Sequence, residues 1–480
     1  MLALLAGFVA VWTLCGVIAK SSQDLHFDMT ELIAWSRDLA LGFTKHPPFA
    51  AVIVRGWFAL LPITDASYYL LGIVSAALAL WIASNLFADY LSPAKRLIGV
   101  ALLTFIPFFT FHALKFNVNT PLMPLWALTT FLFLRSYRTR SLTYAMFAGG
   151  AAALCMLTKY WSVCLLVGLG VAALSHPQRG AYFRSWAPWL TAITSLALFS
   201  PHLVWLQMHG FPTVVYAVGW HGHHTPAAAA WSELRYVTDT IAFGLVPVAV
   251  VVLAARPSLA MLRDMAWPAD PVRRMIAVAF WTTLLFPVLP AAVFGIELDG
   301  IWTMSAWTLL PVLLLSPPAL QVPRPATRWI VGAAIAFPLA MLPIAPIIAL
   351  VAHEQGLPPK QAQIRQLKDE VEKAWRRLTP KPLVFVSGDM DLADGVAAYA
   401  KDKPLALLGT DLRPPTVLAA AGIALVCLAE DDDCAQRAVR IAGFNPGSVV
   451  SRVVLKRRFL GIDGAPQDYQ IAMIPPRPAQ

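Results

Sequence analysis

The chain has 480 residues, of which 58% are hydrophobic and only 13% charged, with 37 Lys and Arg against 27 Asp and Glu for a net charge of +10. A soluble domain carries roughly 25% charged residues, so an ordinary soluble fold is excluded and a polytopic membrane protein is indicated. Its spans must be helices, because lipid satisfies no unpaired backbone group and the alternation of about ten residues per barrel strand is absent. The basic excess sits in short loops between apolar runs, which excludes nucleic acid as a partner.

Met1 to Ala19 is apolar but lacks the basic start and small-residue cleavage site of a leader, so it reads as a retained first span. Further apolar runs near 66–88, 97–113, 120–134, 142–157, 160–175, 187–206, 236–254, 275–295, 301–320 and 329–351 bring the expectation to about eleven transmembrane helices. Phe49–Leu61, bounded by Pro48 and Pro62, is too short to cross and reads as interfacial or re-entrant. Prolines inside the runs, among them Pro107, Pro201, Pro247, Pro287 and Pro290, predict kinks that can open a cavity between helices. With the N-terminus inside, Lys95 and Arg96, Arg135, Arg138 and Arg140, and Arg273 and Arg274 all fall in cytoplasmic loops. The first external loop, 21–65, and the C-terminal tail then lie outside the cytoplasm.

Residues 1–351 thus form a transmembrane domain and residues 352–480 a small α/β domain. In the tail, Lys360 to Leu378 carries Ile364, Leu367, Val371 and Trp375 near a 3.6-residue period, a helical stripe. Short apolar runs at 383–388, 405–409 and 423–429 alternate with helical segments near 392–400, 415–421 and 434–442. Val449–Leu455 and Asp468–Ile474 read as two late strands. No Gly-rich phosphate loop opens any of these helices. Cys15, Cys155 and Cys164 lie in apolar runs as packing residues. Cys427 and Cys434 lie in the polar tail, where an oxidising compartment allows a disulfide.

The chemistry concentrates in Asp24 to Pro48, an ionisable loop on a greasy body. Asp28-Met29-Thr30-Glu31 resembles a capping box, with Asp28 as N-cap of a helix over Met29–Leu41 whose stripe is Leu32, Trp35, Leu39 and Phe43. Capping and catalysis are compatible. Backbone N–H groups keep a cap carboxylate ionised, and an ionised carboxylate at a cavity mouth takes a proton from an attacking hydroxyl. His221, His223 and His224 allow a divalent metal site, substrate contact or a solvated loop, and no carboxylate or cysteine stands close by in sequence to decide for metal.

The span from Asp28 to Pro48 resembles the first external loop of bacterial glycosyltransferase family 39. These are GT-C-fold membrane enzymes related to protein O-mannosyltransferases and lipid A aminoarabinose transferases. Asp28 falls on the family's catalytic aspartate, Gly42-Phe43 on its turn and His46-Pro47-Pro48 on its His-Pro-Pro. Met29 replaces the usual Glu and Lys45 the usual acid, which shifts the local charge toward positive. Phe116 to Leu122 resembles the second external loop, with Asn119 where an Asp is common, and Leu157 to Tyr160 resembles a Leu-Thr-Lys-Tyr segment. The tail, with its Cys427 and Cys434, resembles those of a subgroup.

The resemblance implies transfer of a sugar from a polyprenyl-phosphate donor to an envelope acceptor, which is lipid A or lipopolysaccharide core, another lipid, or a protein. Asp28 would be general base and the anomeric carbon would invert, at the outer face of the inner membrane. Lys45, His46, Arg55, Lys115 and Lys159 are the candidate cations for the donor phosphate. Glu31, Asn117, Asn119, His221 and His223 are candidates to contact sugar or acceptor. No cofactor is certain, and a divalent metal is left open. The rival is a transporter or lipid-carrier flippase. Such a protein places its ionisable groups at mid-membrane, whereas these cluster near one surface.

Overall fold

Among the described residues of the computed structural model, which are 1–222, 225–407 and 414–477, six helices are long and apolar enough to cross a bilayer. They are Leu2–Ala19, Asp65–Phe87, Ala187–Met208, Ala227–Ala255, Pro271–Phe294 and Arg324–Gln355. Pro93–Thr104 and Pro107–Leu114, bent by 84°, make a seventh if counted as one span. The expectation of about eleven is higher because apolar runs are not always single long helices. The 97–113 run breaks at Pro107, where the ring removes a backbone donor. The 301–320 run is divided among 3-10 turns at Gly300–Thr303 and Ala306–Leu309 before Leu310–Leu315. Leu142–Thr158 and Tyr160–Ser175 are apolar but short.

The chain falls into two compact units by its internal contacts: 1–13, 40–50 and 68–341 form one, and 14–39, 51–67 and 342–480 the other. In the first unit, Leu142–Thr158 packs against Leu122–Thr139 and Ala187–Met208, and Val163–Ser175 packs against Pro271–Leu285. Small residues permit these approaches. A Cβ on Gly149 would overlap the Thr191 carbonyl, and one on Gly168 would overlap the Thr283 hydroxyl. Trp12 meets Phe111 and Phe337 edge-on in the same core.

The second unit contains a mixed five-stranded sheet of β1 (Phe385–Gly388), β2 (Leu405–Ala406), β3 (Ile423–Leu428), β4 (Val449–Phe459) and β5 (Ile462–Ile474), in order β2-β1-β3-β5-β4. β1 is parallel to β2 and β3, while β5 is antiparallel to both β3 and β4. Ile364, Leu367, Val371 and Trp375 of the Ile364–Leu378 helix are fully buried against Val386, Val426 and Ile471, so the 3.6-residue stripe is the face that packs on the sheet. The two late strands are longer than their apolar runs and meet in a hairpin at Leu460 and Gly461, where both residues adopt positive φ. Cys427 on β3 is bonded to Cys434 at the start of the Asp432–Gly443 helix, with 5.8 Å between Cα atoms.

The first loop departs from its expected helix. That helix runs Phe27–Arg37, not Met29–Leu41, and its N-cap is His26, whose Nδ1 accepts the Asp28 N–H at 3.1 Å. Asp28 therefore lies inside the first turn. The imidazole nitrogen of His26 does the capping that sequence rules assign to an oxygen side chain. Leu39 and Phe43 fall beyond the helix, while Leu32 and Trp35 are buried on it.

Candidate active site

A cavity of about 330 Å³ opens within the first unit. Lys45 and His46 reach it from the loop that contains the His-Pro-Pro. That loop is a turn closed by the Phe43 N–H on the His46 carbonyl at 3.0 Å. Gly42 is required there, since a Cβ would overlap the Trp205 ring. The Lys45 ammonium lies 6.0 Å from the Tyr216 ring centroid, at the outer limit of a cation–π contact.

Lys159 enters where the Leu142–Thr158 helix ends. It is the C-cap, in extended conformation, and a short turn over Tyr160–Ser162 starts the next helix. The junction aims the side chain into the cavity. Its Nζ donates to Asn119 Oδ1 at 2.9 Å and lies 4.6 Å from the Trp302 ring centroid. Asn119 is set in turn by its own N–H on Asn117 Oδ1 at 2.9 Å. Both asparagines are buried and serve here to orient the lysine.

Trp302 belongs to the Gly300–Thr303 turn, which Asp299 caps by accepting the Ile301 N–H at 2.9 Å. Opposite, a bridge between Gly222 and Ile296 and the Glu297 N–H on the His221 carbonyl at 2.7 Å bring His221 to the wall. Glu297 Oε2 is 3.9 Å from His221 Nδ1. Burial pushes the His221 imidazole below its ordinary pKa. Lys159 adds to that effect, and Glu297 and Asp299 oppose it. The rest of the wall includes Cys164, Phe286, Pro287, Pro290 and Leu298. Two ammonium groups and two imidazoles thus line a largely apolar space, where reduced screening strengthens their pull on an anion.

The structure brings Lys45, His46, Lys159 and His221 to one cavity, with Asn117 and Asn119 behind Lys159. Lys115 is not among the lining residues; its carbonyl accepts the Thr120 hydroxyl at 3.0 Å. Arg55 belongs to the second unit, where its Nη1 lies 3.4 Å from the Ser36 carbonyl. Asp28, also in the second unit, has a side chain 27% exposed, with Oδ2 at 3.8 Å from His26 Nδ1. It lies in the first turn of its helix. Glu31 is buried one turn further on. His223 and His224 lie outside the described residues. Among the described residues no group of three or more His, Cys, Asp or Glu side chains is placed to hold a metal ion.

Residues 45–205 match the family model of dolichyl-phosphate-mannose-protein mannosyltransferase. The lipopolysaccharide core galacturonosyltransferase RgtB of Rhizobium johnstonii is 29% identical over 213 residues, 43% of this chain and 42% of that protein. The match therefore spans less than half the length of that curated relative. The crystal structure of ArnT from Cupriavidus metallidurans bound to undecaprenyl phosphate superposes with a TM-score of 0.64 at 13% identity, covering 97% of each chain. Its apo form gives 0.62 at 11% identity, over 96% of this chain and 97% of that one. The chain thus shares the GT-C fold of these ArnT structures.

At this GT-C-fold cavity, sequence reasoning missed Tyr216, Glu297 and Trp302. None stands in a recognisable motif. Trp302 lies in an apolar run that reads as a span, and only the 3-10 turn beneath it turns the indole toward Lys159.

Proposed function

We propose that this protein is a glycosyltransferase that moves a sugar, with inversion, from a polyprenyl-phosphate donor to an envelope glycolipid at the periplasmic face of the bacterial inner membrane. The observation that carries the reading is the cavity, with Lys45, His46 and Lys159 set in a mostly apolar wall. A phosphate on an apolar tail matches both features. As the glycosidic bond breaks, charge builds on the leaving phosphate, and fixed cations stabilise it there more than in water. The base role goes to Asp28 on its place in the first-loop motif. Its carboxylate takes the proton of the acceptor hydroxyl, whose oxygen forms the new bond to the anomeric carbon while the polyprenyl phosphate leaves.

The relatives support the two substrates in kind. One neighbour was crystallised with undecaprenyl phosphate, and the relative RgtB is named for the lipopolysaccharide core and for a uronic acid. An acidic sugar suits this chain as well. Lys45 stands where the family usually carries an acid, so the cavity wall carries two ammonium groups, enough to attract both a phosphate and a sugar carboxylate.

Mass spectrometry of envelope glycolipids from cells with and without the protein tests the proposal. The expected change is loss of one sugar residue, restored by the wild-type chain and not by Asp28→Ser. An unchanged glycolipid profile overturns it.

A further inference from the structure

Two charged side chains flank the helix that carries Asp28, and both are locked into the sheet-bearing part of the second unit. Asp24, only 2% exposed, precedes the helix. Its Oδ2 accepts the Arg365 N–H at 3.1 Å, and its Oδ1 faces Arg457 at 3.1 Å and Arg365 at 3.6 Å. Its own N–H donates to the Gln361 carbonyl at 3.3 Å, and the next N–H, from Leu25, donates to the Tyr399 hydroxyl at 2.9 Å.

Arg37 ends the helix. Its guanidinium donates to the carbonyls of Ala397, Ala398 and Pro404, around the end of the Met390–Tyr399 helix and the approach to β2. Burial lowers its pKa to about 10, which still leaves it charged at neutral pH. Between these two anchors Met29 to Ser36 are all buried, and Asp28 keeps its partial exposure.

Apolar contact alone would hold a helix of this length, and burying charges is the more costly way to do so. Apolar contact also tolerates sliding. A planar guanidinium shared among three carbonyls does not, since it fixes both the rotation and the height of the helix end. We propose that Arg37 and Asp24 are positioning residues, through which the C-terminal domain sets the direction of the Asp28 carboxylate for transfer. The inference rests on the assignment of Asp28 as base.

The test uses the full-length purified chain in lipid nanodiscs with a polyprenyl-phosphate-linked sugar and a glycolipid acceptor. Arg37→Met and Asp24→Asn should each lower kcat by up to about 100-fold, as misplacement of a reacting group does, and leave the donor KM within about twofold of wild type, a window narrower than a 1 kcal/mol change in binding. Combined with Asp28→Ser, neither should lower the residual rate further, because both act through the same carboxylate. Arg37→Lys keeps the charge but cannot span three carbonyls. It should melt with the wild type and recover only part of kcat.

Wild-type kcat in Arg37→Lys and Asp24→Asn overturns the inference. So does an equal fractional loss in the wild-type and Asp28→Ser backgrounds, the mark of a merely structural role. Full transfer by Asp28→Ser alone is a different result, and it removes the base assignment itself.

Discussion

Replacing Lys159 by methionine removes one positive charge from the cavity wall and keeps most of the side-chain volume. In the resting protein the ammonium is oriented by Asn119 Oδ1 at 2.9 Å and by the Trp302 face at 4.6 Å. In the proposed reaction the same group meets a phosphate oxygen of the donor. A hydrogen bond to a charged partner contributes about 1.5–3 kcal/mol, which corresponds to roughly 10- to 150-fold in kcat/KM. The division of that loss between kcat and KM reports how much charge the phosphate gains at the transition state. The assay is transfer from a defined polyprenyl-phosphate sugar to glycolipid in nanodiscs, followed by mass spectrometry across a range of donor concentrations. The reasoning fails if Lys159→Met, folded as judged by its melting curve, transfers within about twofold of wild type, less than 1 kcal/mol of lost stabilisation.

The remaining predictions concern the supports of the site and the tail. Asn119→Ala leaves the charge but frees the lysine, so the loss should be milder, about fivefold for about 1 kcal/mol, measured in the same assay. Because His221 is held below its ordinary pKa, the unfolded chain binds its proton more readily than the folded one. The resulting loss of stability sets in as pH falls through the ordinary imidazole value of about 6.5. Melting curves from pH 8 to pH 5 should show it, and His221→Gln should flatten that part of the profile. The Cys427–Cys434 bond closes a short loop. Its removal by Cys427→Ser should cost the C-terminal domain about 2.5 kcal/mol, read by denaturant unfolding with and without reductant.

Sequence pattern alone exposed the elements whose period and surroundings agree. The Ile364–Trp375 stripe, the alternation of β1 and β3 with helices, and the apolar helices all follow from it, because each buries a face with a fixed spacing. Prolines and 3-10 turns interrupt greasy runs in ways hydropathy does not register, so several expected spans are shorter or broken apolar helices. The β4–β5 hairpin was longer than its two apolar runs because its outer half, with the exposed Lys456 and Arg458, is held by backbone pairing and not by a buried apolar face.

Lys45, His46 and Lys159, which line the cavity, could be singled out in the sequence because each lies in a motif. Their common cavity could not, since 112 residues lie between His46 and Lys159 and only helix packing brings them to one wall. The cap of the first-loop helix was misassigned because Asp28 has the better capping side chain by type. His26, two residues earlier, is the one with non-helical backbone and an acceptor in reach.

The most direct measurement is single-turnover transfer by the purified protein from a polyprenyl-phosphate sugar, with the anomeric configuration of the product read by NMR and with Asp28→Ser run alongside. The account predicts a product of inverted configuration from the wild type and essentially none from Asp28→Ser. A product of retained configuration, or undiminished transfer by Asp28→Ser, would contradict it.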